Sequence, residues 1–244
     1  MADAKERSLI TSPNIASYKP LNIILQIIGL ILILAVFFWV VLFRGGFGFS
    51  TPKIVFNWHP LLMTIAFVYL FANAILHYRT FRDSKKQDLK NQHSIIHGCI
   101  LIIVLLAAFA ALASHLFAKP PIPNFYSLHS WLGVVTVVLF LSQFACGLWF
   151  FLSTRTADNY REAMLPYHVF FGIFIFVLSV VTCILGISEK LIFALDKNYK
   201  YYPAEGLYGN FLGILFVIFG GLAVYMVTKA EFKRPSKQDY EPIL

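Results

Sequence analysis

Four of the seven histidines have the chemistry and the placement of metal ligands. His59, His93, His129 and His168 each stand at the beginning of one of four consecutive long apolar runs. Neutral imidazole is the commonest protein ligand for iron, copper and zinc. An iron with two axial imidazoles needs both nitrogens at about 2 Å on opposite faces of a flat macrocycle, which two facing helices of a bundle can supply. With both axial positions filled, no coordination site stays open for oxygen or substrate, so such a centre carries electrons. His97 lies one turn beyond His93 on the same helical face, and from spacing alone either could be the ligand. The His93/His97 pair also admits a zinc reading, although the apolar runs offer no further Cys, His or carboxylate ligands nearby. His77 and His115 close their runs and read as hydrogen-bonded or interfacial histidines.

The elements that would position these residues are membrane helices. A hydrocarbon core of about 30 Å needs roughly 20 apolar residues, and six windows qualify: 22–43, 57–78, 93–117, 127–152, 166–188 and 207–228. The chain then divides into a cytoplasmic arm (1–21), a six-helix domain (22–228) and a cytoplasmic tail (229–244). Successive spans alternate in direction, so His59 and His129 fall near one membrane face, and His93 and His168 near the other. A helix from His59 to Tyr78 covers about 28 Å, so ligands from opposite faces cannot share an ion. Placing both termini in the cytoplasm puts 14 of the 20 Lys and Arg residues on that side, as the positive-inside rule expects. On this orientation His93 and His168 are the inner pair.

Composition excludes a soluble protein: 59% of residues are apolar, only 13% are charged, and 25 are Phe. The net charge of +8 fits membrane orientation better than nucleic-acid binding, because no basic run is interleaved with a stacking platform. Cys99, Cys146 and Cys183 sit inside apolar runs, where the expectation is buried small side chains rather than disulfides. There is no C-x-x-C-H, so a haem would be bound without thioether links. The first apolar run follows a polar lead without a small-residue cleavage site, and is expected to remain as a span. No N-x-[ST] sequon reports on sidedness.

Motifs at the ends of the runs carry a family resemblance. Phe56-Asn-Trp-His59-Pro60, Tyr78-Arg-Thr-Phe-Arg82, Tyr126-Ser-Leu-His-Ser-Trp131, Pro166-x-His168, Gly186-x-x-Glu189-Lys190, Glu205-Gly206 and Lys233-Arg-Pro235 occur in the order and positions of the cytochrome b561 family. The chain resembles that family from about Pro20 to Pro235. The resemblance implies an all-α membrane protein of six transmembrane helices, with helices two to five forming a four-helix bundle around two non-covalent haem b groups. It implies an ascorbate-dependent transmembrane reductase, some relatives reducing ferric ions, and many relatives are homodimers. The family's inner ligand on the third helix is preceded by Lys at minus three and minus seven, which Lys90 and Lys86 match relative to His93. By the same matching, His59 and His129 hold the outer haem, and His93 and His168 the inner one.

The resemblance also carries site residues. Arg79, Arg82, Lys86, Lys90 and Arg161 match a basic pocket for cytoplasmic ascorbate, and Arg79 and Lys233 match neighbours of the inner haem propionates. Ascorbate is a monoanion at neutral pH, which Lys and Arg can hold by charge-assisted hydrogen bonds. On the outer face, His115 and Asn124 match positions near the exit substrate. Asn124, Phe125, Tyr126, Ser127 and Glu189 match neighbours of the outer haem. The acceptor would be monodehydroascorbate or a ferric chelate, and the link Lys119-Pro-Pro-Ile-Pro123 departs from many relatives there. Phe170, Phe171, Phe174 and Phe176 read as packing and lipid contacts. The rival readings are a histidine-based transporter or proton channel without redox function, and a structural or sensory haem protein. Asp239-x-x-x-Ile-Leu244 loosely matches an acidic dileucine signal, so the membrane is that of the cell surface or of lysosomal or secretory vesicles.

Overall fold

The computed structural model describes residues 15–234; the dileucine-like tail and most of the amino-terminal arm lie outside the described residues. Six helices are long and apolar enough to cross a membrane. They are α1 (Tyr18–Phe43), α2 (Pro52–Thr80), α3 (Lys86–Leu116), α4 (Leu128–Leu152), α5 (Asp158–Leu195, continuing as a 3-10 turn to Tyr201) and α6 (Ala204–Thr228). No strand occurs among the described residues. In hydrocarbon every backbone group must find a partner within its own segment, which leaves the helix as the solution for such apolar runs.

α2 packs on α3 and α4 packs along α5, while α2 meets α5 and α3 meets α4, closing a four-helix bundle. α1 and α6 lie together against it. Polar staples fix this packing where apolar contact alone discriminates weakly between helix registers. Gln26 Nε2 donates to Asn73 Oδ1 (2.9 Å) and Tyr69 Oη donates to Gln26 Oε1 (2.7 Å), joining α1 to α2. Tyr208 Oη donates to the Ala35 carbonyl (2.9 Å), joining α6 to α1.

The helices run past the apolar windows at both ends of the bundle, since α2 already starts at Pro52 and α5 ends only at Leu195. α3 starts at Lys86 and α5 at Asp158, so His93 stands about two turns and His168 nearly three turns inside its helix rather than in the first turn. Helical hydrogen bonding does not require an apolar face, so the polar residues 86–92 and 158–165 extend both helices beyond the apolar runs. Pro166 is accommodated within α5. α2 carries a π-helical stretch at Thr64–Leu70 and α4 another at Leu148–Leu152.

The middle of the bundle is filled with rings. Phe71, Phe140 and Phe176 are almost fully buried, with centroids 5.5 Å (Phe71–Phe140) and 5.8 Å (Phe71–Phe176) apart in edge-to-face contact. Phe170, Phe171 and Phe174 are exposed on the outside of α5, the surface lipid would cover. Cys99 and Cys146 are likewise exposed rather than buried, since a helix surrounded by hydrocarbon can turn a small apolar side chain outward without cost.

Candidate functional site: two facing pairs of histidines

The segment before His59 is held rigidly. Asn57, buried, donates from Nδ2 to the carbonyls of Arg44 (3.1 Å) and Gly46 (2.7 Å), and Trp58 Nε1 donates to the Gly48 carbonyl (3.2 Å). Gly45 and Gly46 have φ of 87° and 80°, which side-chain-bearing residues rarely adopt, so the chain can reverse here between α1 and α2. Thr51 caps the first helical piece and Pro52 occupies its first turn. His129 follows a capping box in which Ser127 Oγ accepts from the Ser130 N–H and Ser130 Oγ accepts from the Ser127 N–H, both at 3.2 Å.

The two expected pairs are brought together. His59 and His129 have ring centroids 6.1 Å apart, and His93 and His168 have theirs 6.3 Å apart. Two metal–nitrogen bonds of about 2 Å, with about 1 Å from each nitrogen to its ring centre, place trans imidazole centroids about 6 Å apart. Each couple therefore has the separation needed to hold one ion between two rings.

Three of the four rings are oriented through Nδ1. His59 Nδ1 donates to the Ala107 carbonyl (3.0 Å), His93 Nδ1 to the Ala74 carbonyl (2.9 Å) and His129 Nδ1 to the Thr182 carbonyl (2.9 Å). A carbonyl can only accept, so these bonds put the proton on Nδ1 and leave the Nε2 lone pair for a metal. The Nδ1 of His168 is buried without a hydrogen-bond partner, while its backbone carbonyl accepts from Gln143 Nε2 at 2.6 Å. His97 is a different kind of residue. Its ring lies 4.5 Å from that of His93 and packs edge-on to Phe71 (5.3 Å) and against Phe140 (5.6 Å). His77 is buried, with Nε2 2.8 Å from Gln92 Oε1, and serves to join α2 to α3.

A cavity of about 740 Å³ opens around His59 and His129, within the size range of cofactor sites. Asn124, Phe125, Tyr126, Ser127, Glu189 and His115 all line it. His115 Nδ1 and Asn124 Oδ1 are 2.9 Å apart, so these two expected neighbours are bonded to each other. Phe125 takes a left-handed φ of 57°, and its carbonyl accepts from Trp131 Nε1 at 2.9 Å, which pins the link before α4. Lys190 also lines this cavity, with Nζ 4.2 Å from the Phe56 ring centroid.

At the opposite end the basic residues divide their tasks. Lys86, Arg161 and Asp158 are within electrostatic reach of Lys90, so the expected cationic group is assembled with one carboxylate beside it. Arg161 also holds the α4–α5 link, donating to the carbonyls of Ser153 (2.8 Å) and Phe150 (3.3 Å) and to Asp158 Oδ1 (2.9 Å). Arg79 donates from Nη2 to the Val227 carbonyl and keeps a buried Nε without a partner. Arg82 Nη2 reaches the Lys233 carbonyl (3.4 Å) and Arg234 Nη2 the Ser84 carbonyl (2.8 Å), tying the end of α6 to the α2–α3 link. The Lys233 side chain is exposed.

Sequence reasoning missed residues that shape these sites. Arg44 and Glu205 form a buried ion pair beside the cavity, and Trp39 Nε1 donates to Glu205 Oε1 (3.0 Å). Glu205 belongs to a quoted motif, but nothing in the sequence named its partner. The carbonyls of Ala74, Ala107 and Thr182 have no sequence signal at all. Gly147 and Gly186 lie against the rings of His168 and His129.

Together these elements form a membrane bundle of helices that carries two facing histidine couples. The family model for eukaryotic cytochrome b561 matches residues 58–194. The chain is 38% identical over 218 residues to the transmembrane ascorbate-dependent reductase CYB561 of Sus scrofa, covering 89% of this chain and 85% of that protein. It is equally identical, at 38% over 218 residues, to the Homo sapiens protein of the same name, with 89% and 86% covered. The plasma membrane ascorbate-dependent reductase CYBRD1 of Xenopus laevis is 38% identical over 224 residues, 90% of this chain and 77% of that protein. The chain belongs to the eukaryotic cytochrome b561 family, and membership implies haem b. The residues present fit such a group: the imidazole spacing suits an axial pair, the Nδ1 bonds free the metal-binding nitrogens, and the cavity reaches the His59/His129 couple.

Proposed function

We propose that this protein is a transmembrane reductase that takes electrons from cytoplasmic ascorbate and delivers them, through two haem b groups, to an acceptor on the other side of the membrane. The observation that carries this reading is the spacing of the two imidazole couples, 6.1 Å and 6.3 Å. The names of the relatives point to the same electron donor. His59 and His129 hold the outer haem; His93 and His168 hold the inner one. Haem b supplies one-electron redox chemistry between ferric and ferrous iron.

The chain's own residues do the rest. Lys86, Lys90 and Arg161 bind the ascorbate monoanion by charge-assisted hydrogen bonds, with Arg82 at the rim of the same basic surface. Arg79, with its buried free Nε, and Lys233 attract the propionates of the inner haem. Asn124, Phe125, Tyr126, Ser127 and Glu189 surround the outer haem, and His115 stands beside the acceptor, monodehydroascorbate or a ferric chelate. The couples lie on the order of 25 Å apart along the helices, since His129 and Gly147, which lies against His168, are separated by 18 residues on α4. Phe71, Phe140 and Phe176 fill the space between them with packed rings. Both termini face the cytoplasm, a homodimer is the assembly to test, and the membrane is that of the cell surface or of a lysosomal or secretory vesicle.

The test is optical. Membranes containing the protein should show a haem b spectrum that ascorbate on the cytoplasmic side reduces, and a ferric chelate on the other side should reoxidise it. A folded protein without haem would sink the proposal and favour the transporter reading, and haem that ascorbate leaves oxidised would sink it and favour a structural or sensory haem protein.

A further inference from the structure

The geometry points to Gly186 and Gly147 as positioning residues: each is a side-chain-free floor on which the axial imidazole of the neighbouring helix, His129 or His168, rests at the angle that binds haem. This rests on the ligand assignment proposed above. A Cβ added at Gly186 would stand 2.7 Å from Cε1 and 2.9 Å from Nδ1 of His129, closer than real contacts allow, and 3.3 Å from Nε2. The ring cannot retreat easily, because its Nδ1 is bonded to the Thr182 carbonyl one turn away on the same helix. One turn of α5 therefore supplies both the carbonyl that orients the ring and the flat surface beneath it.

The same device recurs at the other end in looser form. A Cβ at Gly147 would stand 3.2 Å from Cε1 and 3.9 Å from Nδ1 of His168, tight but not prohibitive, and Nδ1 of that ring is held by no hydrogen bond. His129 and Gly147 on α4 are 18 residues apart, as are His168 and Gly186 on α5. Eighteen residues are five helical turns at 3.6 residues per turn, so each helix presents its histidine and its glycine on one face. Antiparallel packing of α4 on α5 then sets each histidine against the other helix's glycine. Alanine is the better helix former, so loss of haem on adding a methyl group must come from the ring above and not from the helix.

The variants are Gly186→Ala, Gly147→Ala and, as a control, Gly213→Ala, whose added Cβ would meet nothing within 4 Å. Haem per chain and the two ferric low-spin resonances are measured on purified protein. Gly186→Ala should lose about half of its haem, the half held by His59 and His129, because displacing a ligand from its supporting contacts weakens metal binding. Gly147→Ala should keep both haems with a shift confined to the His93/His168 resonance, and Gly213→Ala should match the wild type. Should Gly186→Ala not fold, the double variant His129→Ala/Gly186→Ala removes the clashing ring and should fold with one haem; failure of that double variant overturns the inference. Half the haem in His129→Ala beside full haem and unchanged resonances in Gly186→Ala overturns the floor alone. Full haem in His129→Ala overturns the ligand assignment, and the floor with it.

Discussion

His59 and His129 face each other with their imidazole planes crossed at 88°, whereas His93 and His168 cross at 67°. Crossed axial planes leave two iron d orbitals nearly equal in energy, and a ferric low-spin centre of that kind gives a strongly anisotropic resonance. Frozen oxidised protein should therefore show two distinct signals, the His59/His129 site having the higher maximum g value. His59→Ala or His129→Ala should abolish that signal first. A single signal, or one typical of parallel planes, would contradict the arrangement.

Arg44 and Glu205 join the α1–α2 link to the start of α6, with Trp39 completing the group. Deleting one member of a buried pair leaves the other charge unsatisfied, which costs about 3–5 kcal/mol. Glu205→Ala should lower stability by that order, measured by denaturant unfolding in detergent. Replacing both members by apolar residues should recover most of the loss. Equal destabilisation by the double replacement would show that the pair's role is not charge compensation.

Lys86 and Lys90 extend the cationic surface on α3 without hydrogen-bonding duties to the fold among the described residues, unlike Arg161. Each charge-assisted hydrogen bond contributes about 1.5–3 kcal/mol. Lys86→Ala with Lys90→Ala should raise the ascorbate concentration for half-maximal reduction at least about tenfold while haem content is unchanged. The effect should shrink as salt screens the wild-type site. Unchanged kinetics would move the donor site elsewhere.

His97 touches His93 but is wedged between Phe71 and Phe140. Its replacement by Ala should retain both haems and lower stability by about 1–3 kcal/mol, the usual effect of emptying a packed position. Loss of the inner haem would show that His97, not His93, is the ligand.

The sequence by itself determined the six spans, their alternating direction and the sorting of four histidines into two same-side pairs. Apolar run length and the helical rise are local properties, and a ligand at a run's end inherits its depth from them. Through the family resemblance it also singled out Asn124 to Ser127 and Glu189, which line the cavity around His59 and His129. It mistook the ends of α3 and α5, since polar turns can continue a helix past the hydrocarbon. Only the tertiary structure decided which nitrogen of His59, His93 and His129 is free, because that depends on carbonyls of Ala107, Ala74 and Thr182 presented by other helices. It alone assigned Arg161, Arg79 and Arg82 part of their donors to holding links, and paired Arg44 with Glu205 across 161 residues of chain. The physical reason is common to all of these: periodicity fixes the face and depth of a residue on its own helix, but a contact between helices depends on their relative rotation and register, which packing sets.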